Sequence, residues 1–207
     1  MTNGVLRTVK AGDVTMSALM GVGFPQFPAG DGIRKKAGLL VEYTIVNHGQ
    51  QRLAVHDLVP AGPGSATEVN PEHAWVYMHD RSLRVSKQSF TTAARLDSVA
   101  NSRVPVTGIR LLAAGATLTG RAWVPLPPKL DVPGKNLASP GGRGLALDIF
   151  TWQFCVQVGA FAERGGPVPD ATPGPILAPV DGTSLAGLLC TAPDRCRPPE
   201  YRSRDRL

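Results

Sequence analysis

Aromatic residues make up only 6% of this 207-residue chain, and cysteine occurs three times. No apolar run approaches the roughly 20 residues that a membrane-spanning helix needs. The stretch Val14–Phe24 is too short, carries Gly21 and Gly23 and lacks a small-residue cleavage site, so no signal peptide is visible. No G-x-S-x-G elbow is present, and the nearest approach, Gly62–Ala66, has no strand-to-helix context. The Gly-rich stretches at 141–144 and 165–166 lack both the Lys-Ser/Thr of a phosphate loop and the G-x-G-x-x-G of a dinucleotide site. These absences take away the common signatures of nucleophilic hydrolases and nucleotide enzymes. The chain is read as non-enzymatic, with no cofactor.

What is present points to strands. The hydrophobic fraction is 43%, enough for a core, and Gly 23 with Pro 19 make about a fifth of the chain without a collagen period. Such punctuation suits many short strands joined by turns. The net charge is +6 with a pI near 9.6. The excess is not gathered on one predicted face: part lies among the acids of the C-terminal residues, and Arg34, Lys35 and Lys36 sit in a loop. No nucleic-acid partner is expected.

The clearest pattern is Leu39–Val59, where Val41, Tyr43 and Ile45 share one face, an Asn-His-Gly break follows, and Leu53 and Val55 continue the apolar phase. Period-two alternation around turn residues predicts a β-hairpin. Thr15–Phe24 reads as a strand with Met16, Ala18, Met20 and Val22 in phase, after an irregular start over residues 1–13. Ala74–Asp80 and Leu83–Phe90 flank an Asp80-Arg81 turn. Thr91–Ser102 has no strong period and is read as a short helix or a connection. Val104–Leu112 and Thr117–Leu126 form a second expected hairpin, ended by Pro125, Pro127 and Pro128. In Thr151–Phe161, Trp152, Phe154, Val156 and Val158 form an unbroken apolar face. Beyond Ala162, Pro-rich composition predicts an extended or partly disordered tail.

The expected architecture is therefore all-β: an antiparallel two-sheet sandwich of about seven or eight strands over residues 1–161, with a Pro/Gly-rich tail over 162–207. A closed barrel is the alternative. Cys190 and Cys196 are close in sequence and suit a small disulfide loop, which leaves Cys155 as a structural thiol within a strand.

Two segments resemble recurring features of bacterial immunoglobulin-like domains. One is Val41–Val55, VEYTIVNHGQQRLAV, similar to a strand that ends in Asn-x-Gly before the next begins. The other is Ile109–Pro125, IRLLAAGATLTGRAWVP, similar to a late hairpin whose Ala-Gly turn precedes a Thr-rich strand. The resemblance implies an immunoglobulin-like sandwich and an exported or periplasmic binding or spacer module. The Cys…Trp…Cys signature of antibody-type domains is absent, and no catalytic residue is implied.

Three functions follow. The first is a non-catalytic binding or structural module, with a protein partner or self-association through a sheet face, an edge strand or the long loops. The second is a carbohydrate-binding or hydrolase-accessory domain, with Trp75, Tyr77 and Trp123 as a stacking platform, or as core. The third is metal binding at one rim, where His56-Asp57 and His79-Asp80 offer nitrogen and oxygen ligands, the metal itself held by His56 and His79. Its alternative is that these residues support turns at strand ends.

Overall fold

The computed structural model describes residues 2–24, 37–60, 70–89, 107–131, 150–161 and 187–196. Thr91–Ser102, the loops at 61–69 and 132–149 and most of the Pro-rich tail lie outside these residues. Within them the chain is all-β, with eleven strands and no helix. In chain order these are β1 (Thr2–Ala11), β2 (Val14–Gly23), β3 (Gly38–Asn47), β4 (Leu53–Leu58), β5 (Trp75–His79), β6 (Ser82–Lys87), β7 (Gly108–Leu112), β8 (Thr117–Pro125), β9 (Phe150–Ala160), β10 (Gly187–Cys190) and β11 (Asp194–Cys196).

Two sheets result. The first, sheet A, has the order β1-β2-β3-β8 and is antiparallel throughout. The second, sheet B, follows β5-β6-β9-β4-β7, with β10 and β11 also paired to β9. Within sheet B, β6 runs parallel to β9 and the other pairs are antiparallel. Val156 pairs with both Lys87 and Leu189, and Gln157 pairs with both His56 and Leu188. A strand residue has only two edges, so β10 occupies one edge of β9 while β4 and β6 share the other. The ends of β4 and β6 therefore meet head-on at His56 and Lys87.

Alternation does the packing. Met16, Met20, Val41 and Ile45 point inward from sheet A and meet Val85, Leu112, Phe154 and Val156 from sheet B in one buried cluster. The two sheets thus pack face to face, as the sequence pattern predicts, and Trp152, Phe154, Val156 and Val158 are all buried as expected. The Asp80-Arg81 turn is also as expected. His79 pairs with Ser82 across it, and both central residues have positive φ, 46° and 64°, the signature of a two-residue primed turn.

Several expectations are corrected. Leu39–Val59 is not a hairpin: β3 belongs to sheet A and β4 to sheet B, so the chain arches across the sandwich. β7 and β8 likewise lie in different sheets. Both arrangements put Val41, Ile45 and Val55 in the core, so periodicity alone cannot tell a hairpin from an arch. What sets the arches is Asn47, which is buried. Its Nδ2 donates to Gln51 O at 2.8 Å, Ala113 O at 3.0 Å and Leu112 O at 3.3 Å, while its Oδ1 accepts from Gly49 N at 3.0 Å. One side chain thereby ties together both sheet-crossing turns at the same end of the molecule.

The start of the chain is ordered into β1 rather than irregular. The tail contributes β10 and β11, and Cys190 is bonded to Cys155 on the neighbouring strand, not to Cys196. Cross-strand register explains the partner: Cys155 and Cys190 lie directly opposite, with Cα atoms 4.2 Å apart. A cross-link spanning 35 residues of sequence restricts the unfolded chain by about 4 kcal/mol in the chain-entropy account.

The Asn47→Ala variant removes the donors of three backbone carbonyls and the acceptor of one amide. Urea unfolding is expected to show a loss of about 2–3 kcal/mol, taking roughly 1 kcal/mol for each buried bond that water does not replace. An unchanged midpoint would show that the arches stand without it.

Candidate functional site

Three charged residues occupy inward, core-facing phases of sheet B. Asp57 follows Val55 on β4, Lys87 follows Val85 on β6, and Arg110 sits opposite Val55 on β7. They converge on Tyr43, which points inward from β3 and is 2% exposed. The Tyr43 hydroxyl donates to Asp57 Oδ2 at 2.8 Å. The Arg110 guanidinium donates to the same carboxyl group, with Nε 3.0 Å from Oδ1 and Nη2 also bonded to Oδ2, and reaches Thr119 O on β8 at 2.9 Å. Lys87 Nζ donates to Asp57 O at 3.1 Å and to Pro71 O, and lies 5.6 Å from the centroid of the Tyr43 ring. Asp57 thus satisfies one group from sheet A and two from sheet B.

Burial controls protonation here. Desolvation pushes the Lys87 amine down to about 7, against the opposing pull of Asp57. Burial first, then the charge and hydrogen bond of Asp57, hold the Tyr43 hydroxyl well above its ordinary range. Burial also lowers His56, which is 1% exposed and has no hydrogen-bond partner at either ring nitrogen among the described residues. Tyr43, His56 and Lys87 are buried within the fold, so their titration is coupled to its stability.

Gly120 makes this arrangement fit. It pairs with Tyr43 across β3 and β8, and a Cβ there would lie 2.8 Å from Tyr43 Cε2 and nearer still to the hydroxyl. The Tyr43 ring leans over the bare backbone of β8 towards Asp57.

A groove of about 620 Å³ runs over the outer face of sheet A to this seam. Its floor follows the strand register. Leu6, Leu19, Glu42 and Arg121 form one row across the four strands, and Thr8, Ser17, Thr44 and Thr119 form the next. Pro71 and Glu72 stand at the β8 side, where Glu72 O accepts from Trp123 N at 3.0 Å. Leu6 is 65% exposed. Glu42 and Arg121 approach to 3.8 Å, and both side chains are more than half exposed. On the outer side of sheet B, Ala54, His56, Ser86, Ile109 and Cys155 are buried, while Tyr77, Arg84 and Leu111 are half-buried.

The residues singled out from the sequence are dispersed. Trp75 and Tyr77 lie on the outer side of sheet B, where Trp75 is 5% exposed, Trp75 Nε1 donates to Gln88 O at 3.0 Å and Arg84 stacks on Tyr77 at 5.7 Å. Trp123 lies on sheet A, with its indole over Gly38. The three rings do not form one platform. His56 pairs with Gln157, whereas His79 lies opposite Ser82, whose hydroxyl meets Thr151. Six residues of β9, roughly 20 Å at strand rise, separate those levels. His79 Nε2 instead lies 3.1 Å from its neighbour Asp80. No cluster of three His, Cys, Asp or Glu side chains suited to a metal occurs among the described residues. The structure does not bring the two histidines together: His56 is buried in the sheet and His79 is at a distant turn.

No protein-family model, no curated protein and no solved structure matches the chain. Function must be argued from the molecule itself.

The titrations give a pH profile. The lowered Lys87 leaves the unfolded chain binding an extra proton between about 7 and 10.5, so stability falls as pH drops through that window. The lowered His56 extends the loss below 6.5. The raised Tyr43 makes stability fall again as pH rises past 10. Urea midpoints are expected to peak on the alkaline side of neutrality, and the slope above pH 7 is expected to vanish in Lys87→Met. A maximum near pH 5–6 would contradict this.

Proposed function

We propose that the chain is a non-catalytic binding module built on an immunoglobulin-like sandwich, with the outer face of sheet A as its binding surface. The observation that carries this reading is the asymmetry of the two sheets. Much of the outer side of sheet B is buried, with Tyr77, Arg84 and Leu111 half-buried there, while sheet A offers a groove floored by two leucines and bordered by an exposed pair of opposite charges. Leu6 is exposed and Leu19 half-buried beside it, and apolar surface left at this place on an otherwise regular sheet serves association.

The charged groups between the sheets support the absence of catalysis: Asp57, Lys87 and Tyr43 are turned into the core and satisfied by one another. The Cys155–Cys190 disulfide supports an oxidising compartment, as the exported or periplasmic reading requires. No helix among the described residues is long and apolar enough to cross a membrane.

The reading requires that Leu6 and Leu19 be dispensable for folding. Leu6→Asp with Leu19→Asp is expected to leave the free energy of unfolding in urea within about 0.5 kcal/mol of the parent, as for surface substitutions generally. A loss of 2 kcal/mol or more, in the manner of a buried leucine, would show that the chain itself covers this face.

A further inference from the structure

We propose that the groove on sheet A takes an extended polypeptide segment of about four residues, with an aliphatic side chain flanked by one acidic and one basic residue. This rests on the reading of that face as the binding surface and names the class of ligand.

Charge makes the first selection. The groove carries Glu42 and Glu72 against Arg110 and Arg121, so it has no surplus of either sign although the whole chain is +6. A nucleic acid or an anionic headgroup needs a cationic surplus, and this groove has none. Glu42 and Arg121 are 3.8 Å apart, beyond hydrogen-bonding distance, with 53% and 62% of their side chains exposed. Each is available to an opposite charge on a ligand, and together they ask for a ligand bearing both signs.

Aromatic content makes the second. Among the described residues lining the groove, Tyr43 is the one aromatic; its ring is buried and its hydroxyl is committed to Asp57. Within the groove a sugar ring would find no exposed aromatic face to stack on; Trp123, half-buried on the same side of sheet A, lies over Gly38 and outside the groove lining.

What remains suits a peptide. Leu6 and Leu19 are directly opposite on β1 and β2 and form an apolar contact for one aliphatic side chain. In the adjacent row, Ser17 shares a hydrogen bond with Thr8 at 3.1 Å, and the hydroxyls of Thr44 and Thr119 beside it can each donate and accept, matching a backbone that alternates N–H and C=O. Four strands at 4.7–4.9 Å spacing span about 14 Å, which an extended chain crosses with about four residues. Addition to the β1 edge is a poorer route. Arg7 points inward from that strand to Asp194 at 3.1 Å, and an inward-pointing charge is a device that blunts edge pairing.

The test is a positional-scanning library of fluorescent hexapeptides against the full chain, with a glycan panel and fluorescent single-stranded DNA in parallel. The expected result is saturable peptide binding that selects an aliphatic residue between opposite charges. It should weaken about tenfold or more in Leu19→Asp and in Glu42→Arg. A peptide with its two charges exchanged should regain affinity only for the double variant Glu42→Arg, Arg121→Glu. No peptide bound at about 1 mM, or binding indifferent to Leu19→Asp and Glu42→Arg, overturns the proposal. Glycan binding lost in Leu19→Asp overturns the peptide class and leaves the face as the binding surface. Silence of every probe, with the leucine substitutions destabilising the fold, overturns both.

Discussion

The Asp57 carboxyl group is the point on which the seating of the two sheets depends. It accepts from Tyr43 of sheet A and from Arg110 of sheet B, while its own carbonyl accepts from Lys87. Hydrophobic burial pulls the sheets together but sets their offset weakly, since apolar contacts have no direction. A buried carboxyl group does have direction. If either sheet slid by one residue, a charge would be left unpaired in the core, at a cost of several kcal/mol. The network thus serves specificity more than net stability, because desolvation consumes much of what such pairs return.

The opposite seam has its own version. Arg7 of β1 reaches Asp194 of β11 at 3.1 Å, so an inward-pointing arginine closes each open side of the sandwich. The disulfide on β9 and β10 holds the tail strands at that seam, where Leu189 enters the core. The inner faces of both sheets are consumed by packing, and we propose that the outer face of sheet A meets a partner. Its rows of leucines, hydroxyls and opposed charges follow from strand register, which aligns residues from four strands far apart in sequence.

Strand identity is legible in the residues alone. The alternation of Val41, Tyr43 and Ile45, and the apolar run of Trp152, Phe154, Val156 and Val158, report their burial directly. Strand partnership is not legible. The Asn-His-Gly break suits a hairpin turn locally, yet Asn47 uses its side chain to bind carbonyls from residues 112 and 113, and no local rule anticipates that. The disulfide escapes a sequence reading because nearness in sequence favours Cys196, whereas nearness in the sheet belongs to Cys155. The Asp57 cluster does leave a signal: Asp57 and Lys87 each continue an apolar phase set by Val55 and by Leu83 and Val85. A charge placed on a core phase must have a partner, and that rule singles out both residues from their positions in the sequence. The outer groove leaves none, because Leu6 and Leu19 become neighbours only through β1, a strand whose polar composition conceals it.

The most direct measurement is a double-mutant cycle between sheets, using Tyr43→Phe and Arg110→Met with urea unfolding of all four proteins. The two side chains come from different sheets and meet at the Asp57 carboxyl group. A coupling energy above about 1 kcal/mol is predicted, since removing one donor changes what the other holds. Additivity within about 0.5 kcal/mol would contradict the claim that Asp57 links the sheets.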